Sequence, residues 1–238
     1  MRVVETLLRW RGKAMTTLTK FRQHASNPAL LAGLCLAIAP LSGTARAADR
    51  TVPSRELAAI CAQTVCRTQK TITLRAPGDN IVRFNSDPVP YVYDGTLTIY
   101  PGESYAVRMR VQGRDLGKPV FEPGTEGKPL PGGTGYQPDA EAKALRDTVT
   151  TPVEALMYFS FKQDEGTGMM LEIVSTLPVT LRYDAVMFVA TPSGIQPDRT
   201  SSCPVFAGAA GVERWPVPLT MLALSNFRIV AGGNPACL

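Results

Sequence analysis

Short runs that alternate apolar and polar residues, each cut off by glycine or proline, constrain this chain more than any other feature. From Ser104 to Gln112, Val107, Met109 and Val111 fall on one side, with Arg108 and Arg110 on the other. A period of two marks a half-buried β-strand, because successive side chains on an extended backbone point to opposite faces. The pattern recurs along the chain. Thr71–Leu74 alternates, Pro77-Gly78-Asp79-Asn80 forms a turn cluster, and Ile81–Phe84 follows. Val89–Tyr93 and Thr96–Tyr100 flank Asp94-Gly95, a dipeptide suited to the positive φ of tight hairpins. Leu156–Lys162 sets Met157, Phe159 and Phe161 on one face, and the turn 164–168 leads into Met169–Thr176. Beyond Pro178, Val179–Thr191 places Leu181, Tyr183, Ala185, Met187 and Val189 on one side, which reads as a second and longer hairpin. Pro218–Val230 is apolar on both faces, as a central strand should be.

The expected fold is therefore all-β: an antiparallel β-sandwich, immunoglobulin-like in general architecture, with one short helix. Residues 139–147 (DAEAKALRD) carry the strongest helical signal, with an acid at the start and good helix formers after it. Ser54 and Glu56 give residues 54–66 a weaker helix-start signature. From Gly113 to Pro138 the chain is dense in glycine and proline, and a long surface loop is expected there.

The first 47 residues read as an export signal. An apolar run over 29–41 (ALLAGLCLAIAPL) follows Arg9, Arg11, Lys13, Lys20 and Arg22 and precedes Ala45-Arg46-Ala47, an A-x-A cleavage pattern. A start at Met15 would shorten the basic region to an ordinary length. Removal of 1–47 would leave one exported β domain over 48–238, with no integral membrane span. It also changes the charge. Seven of the 25 basic residues and one of the 20 acidic residues lie in the first 47 positions, which leaves 18 against 19. A near-neutral body argues against nucleic acid as a partner.

Four cysteines follow the signal: Cys61, Cys66, Cys203 and Cys237. Four allow three pairings, and an exported chain is expected to oxidise them. Cys61–Cys66 can close across one turn, and Cys203–Cys237 would tie the C-terminal end back. Chain-entropy arguments assign about 2 kcal/mol to the short loop and about 3 to 4.7 kcal/mol to the long one. No C-x-x-C motif is present for thiol exchange.

The only histidine, His24, lies in the part expected to be removed. A Ser-His-Asp triad, a Cys-His pair and histidine-ligated metal sites are then impossible in their usual forms. No catalytic residue, metal ligand or cofactor is assigned. Paired carboxylates would still serve a glycoside hydrolase. Asp164 and Glu165, however, read first as a solvated hairpin tip, and nothing in the sequence joins Glu122 or Glu126 to Asp184. The binding candidates are Tyr91, Tyr93, Tyr100, Arg108 and Arg110, an aromatic platform flanked by guanidinium groups, together with Trp215. The ordinary alternative, the more frequent one, is that the tyrosines fill the edge of a β core with hydroxyls reaching water, and a lone tryptophan beside prolines commonly caps one end of a sandwich. The sequence thus points to an exported, periplasmic or secreted, non-catalytic binding or assembly protein of the bacterial envelope. Its expected partner is another envelope protein, a peptide or a glycan. The alternatives are a carboxylate-dependent hydrolase of envelope polysaccharide and a structural surface subunit.

Overall fold

The computed structural model describes residues 54–237 apart from Asp79, Thr134, Tyr136, 192–193 and 231–235, so the expected export signal lies outside the described residues. The fold is an antiparallel all-β sandwich. A helix α1 (Ser54–Cys61) leads into a two-stranded ribbon of β1 (Thr71–Ala76) and β2 (Asn80–Asn85), joined by the anticipated turn. The Asp94-Gly95 hairpin forms between β3 (Val92–Tyr93) and β4 (Thr96–Ile99). Both turn residues have positive φ, 46° and 75°, which matches the right-handed twist of the strands they join.

Two further sheets make the body. The six-stranded sheet takes β5 (Glu103–Gln112), β8 (Val153–Gln163), β9 (Met169–Ser175) and β12 (Ala210–Trp215) in the order β12-β9-β8-β5. The short strands β6 (Asp115–Leu116) and β7 (Val120–Glu122) share the outer edge of β5. The five-stranded sheet holds β10 (Leu181–Thr191), β11 (Gly194–Thr200) and β13 (Leu219–Ile229) in the order β11-β10-β13-β4-β3. As expected, β13 is central, pairing with both β10 and β4.

Alternation converts directly into a core. Val107, Met109 and Val111 are fully enclosed, as are Met157, Phe159 and Phe161 on the neighbouring strand. Each such side chain contributes about 1.5–3 kcal/mol on burial. Three hydrogen bonds bridge the sheets: Tyr105 to Thr98 O (2.5 Å), Tyr183 to Glu213 (2.7 Å) and Trp215 to Thr200 Oγ1 (2.8 Å).

Four expectations need correction. The second hairpin is β8–β9, and the chain then crosses to the other sheet to form β10. In β10 the expected alternation holds through Leu181, Tyr183 and Ala185, but beyond them Phe188 is buried (1% exposed) while Met187 is only partly so. There are two helices rather than one, because α2 (Pro138–Thr150) runs past Asp147 and α1 also forms. The segment 113–138 contains β6 and β7 and is not one long loop.

Residues 123–133 of that segment form a strap. Beside β5, Gly127 N–H donates to Ser104 O (2.9 Å) and Ser104 Oγ donates to Lys128 O (3.1 Å). Gly133 lies at the opposite edge of the sheet, where an added Cβ would stand 2.9 Å from Ala210 N. Residues 128–133 therefore cross the outer face from β5 to β12. The helix α2 follows, with Glu141 accepting Thr180 N–H (2.5 Å) and Thr148 O accepting Gly113 N–H (3.1 Å).

Candidate functional site

The expected aromatic platform does not form as a surface. Tyr91 stacks on Phe121 with ring centroids 4.2 Å apart and meets Tyr105 edge-on at 4.9 Å. Tyr100 and Tyr105 are enclosed, 2% and 1% exposed. Burial holds the Tyr105 hydroxyl well above its ordinary pKa and pushes Tyr100 up to about 12. Only Tyr93 of these tyrosines is largely exposed. The residue that gathers the rings is Arg67, which the sequence did not single out. Its guanidinium sits 4.4 Å from the Tyr91 ring centre and 5.0 Å from that of Tyr100. It also donates to Glu103 (3.0 Å), to Thr98 O (2.6 Å) and to Pro90 O (3.2 Å). A buried cation with its donors satisfied is an internal fastening, and no face of it remains for a ligand.

The other candidates disperse. Arg108 is held by Glu122 at 2.5 Å, with Glu154 at 3.9 Å, while Arg110 projects from the same face of β5. Trp215 is buried (7% exposed), edge-on to Phe161, with its indole N–H on Thr200. It closes the sandwich between β12 and β11, and as an exposed anchor it is excluded. Cys61–Cys66 and Cys203–Cys237 are both bonded, as the spacing suggested. Among the described residues no group of three or more metal-ligating side chains assembles.

A cross-sheet carboxyl is the second feature that sequence reasoning passed over. Glu213 Oε1 accepts from Tyr183 and from Cys203 N–H (2.9 Å), while Oε2 is buried without a partner. Desolvation raises its pKa above the ordinary 4.5, opposed in part by those two hydrogen bonds. Tyr183, itself enclosed, is raised well above its ordinary value by burial and by the neighbouring carboxylate.

The open feature lies where the ribbon meets the β8–β9 turn. Gln163 fastens the two, its amide oxygen accepting Arg75 N–H and its amide nitrogen donating to Arg75 O, both at 2.8 Å. The Arg75 guanidinium donates to Asp164 O at 2.6 Å. A cleft of about 750 Å³ opens there, lined by Arg75, Lys162, Asp164, Glu165, Met170 and Arg214 among others. Strand register builds its floor: Lys162, Met170 and Arg214 are cross-strand neighbours on β8, β9 and β12.

Comparison with protein-family models, curated proteins and solved structures finds no match to this chain. The site is therefore read from its chemistry. Lys162 is engaged by Glu172 at 2.9 Å. Arg214 is exposed and makes no hydrogen bond or ion pair with the described residues. A free guanidinium beside a half-buried methionine suits an extended ligand that presents both a carboxylate and an apolar group. The acids of the hairpin tip face this cleft instead of a catalytic partner. Asp164 and Glu165 were legible as a turn; the basic residues opposite them were not.

Proposed function

We propose that this chain is an exported, non-catalytic binding or assembly protein of the bacterial cell envelope that makes contact through the cleft beside Arg214. The observation that carries the reading is the unengaged Arg214, aligned with Met170 and Lys162 on an open face. Two disulfides support an oxidising compartment, and the A-x-A leader supports export. No described helix is long and apolar enough to cross a membrane. The cleft's mixed charges suit a peptide or a neighbouring protein better than a uniformly charged polymer. A hydrolase finds less support: Glu213, a carboxyl whose pKa burial raises, faces Tyr183 between the sheets.

The test compares the oxidised protein with an Arg75→Ser/Arg214→Ser variant, each immobilised and exposed to envelope extract without reductant. A cross-linked partner, identified by mass spectrometry, is expected on the native protein and reduced about fivefold or more on the variant. Identical capture by both proteins, or release of reducing sugar from envelope polysaccharide, would overturn the reading.

A further inference from the structure

Sheet edges expose unpaired N–H and C=O groups, and folds usually blunt them. Three of the four edges of the two main sheets are blunted. β7 and β6 cover β5, β3 is two residues long, and β11 carries Pro197. Among the described residues nothing pairs with the fourth edge, β12, over Val212–Arg214. Ser175 N–H donates to Ala209 O, adjacent in register to the Ala210–Val174 pair. The alternation of an antiparallel ladder then turns the backbone groups of Gly211, Glu213 and Trp215 toward β9, and those of Ala210, Val212 and Arg214 off the sheet. The strap's Gly133 abuts Ala210 N, which closes that end. Val212 remains 53% exposed, on the same face as Arg214 and the cleft.

We infer that β12 accepts an added antiparallel strand from a partner polypeptide carrying an acidic residue followed, two positions later, by an aliphatic one. This rests on the binding role proposed above and specifies its ligand. The order follows from pairing. In an antiparallel strand the residue opposite Arg214 precedes the one opposite Val212, and directly opposed side chains share a face. The acid meets Arg214, the aliphatic side chain covers Val212, and the backbone takes up the outward hydrogen bonds.

The experiment titrates the isotopically labelled, oxidised protein with the peptide Thr-Glu-Thr-Val-Thr, and follows amide shifts by NMR. The Val212 and Arg214 amides should move first. The peptide with Gln for Glu should bind about three- to fivefold more weakly, a difference that high salt and Arg214→Gln each erase. Val212→Pro removes an outward N–H without touching the β9 ladder. It should abolish binding of both peptides while leaving the remaining amide spectrum native-like. Equal binding of both peptides, shifts confined to another surface, or unaltered binding by Val212→Pro would overturn the inference. So would a dimer in sedimentation that Val212→Pro dissolves, since a second copy would then be the occupant. Envelope capture that depends on Arg75 and Arg214 without peptide binding sinks this inference alone. Capture that is the same with and without those two residues sinks the wider reading.

Discussion

Arg67 shows how one residue can organise a region without advertising itself in the sequence. It follows Cys66 in a stretch with no apolar period, yet it is 3% exposed and joins the chain before the ribbon to β4 and β5. Removing one partner of a buried ion pair strands the other charge. Arg67→Met should therefore cost about 3–5 kcal/mol in urea unfolding, because it leaves the buried Glu103 with only the Tyr100 N–H (2.8 Å) and the half-exposed Lys70 (3.8 Å) as partners. Adding Glu103→Leu should cost less than the two single changes summed, since the residues share one network. Strict additivity would show that the pair is not coupled. The tyrosines around Arg67 were legible as candidates because Tyr is readily spotted at alternate positions. Their burial was not, because the cation that draws them inward lies far from them in sequence.

Among elements, those with one buried face were the readable ones. β5 and β8 alternate cleanly because one side packs on the opposite sheet and the other meets solvent or the strap. The edge strands β11 and β12 were missed for the converse reason. β11 reads Gly-Ile-Gln-Pro-Asp-Arg-Thr and β12 reads Ala-Gly-Val-Glu-Arg-Trp, with too little apolar material to set a period. The strap was hidden too, because glycine and proline signal a loop without saying where it goes. Its far anchor is sterically exacting. Gly133→Val should destabilise the protein by about 1–3 kcal/mol through crowding against Ala210. Limited proteolysis should then cut within 123–137 faster than in the native protein. An unchanged cleavage rate would mean the strap does not depend on that contact.

At the scale of the whole molecule, the sheets are joined by polar bridges as well as by packing, and one of them titrates. The native state holds the Glu213 proton more tightly than the unfolded chain does. Above the ordinary value of 4.5 the unfolded state releases that proton first, so this group's contribution to stability declines as pH rises through its folded-state pKa. Glu213→Gln retains a carbonyl acceptor for Tyr183 and Cys203. Its unfolding free energy should fall less than the native protein's between pH 4.5 and neutrality. Parallel pH profiles for the two proteins would contradict that assignment. The fold class was legible at this scale because alternation and turn chemistry repeat along the chain. The cleft was not, since Arg75, Lys162 and Arg214 come from three distant segments, the last two aligned by strand register and the first fastened there by Gln163.

The position of β13 has a further consequence. The last of the described strands occupies the middle of its sheet, between β4 and β10, so neither neighbour can complete its ladder until β13 has been made. Such long-range closure is slow and all but final in the order of assembly. Until β13 arrives, β4 and β10 each carry a bare edge, and the five-stranded sheet cannot close over the core.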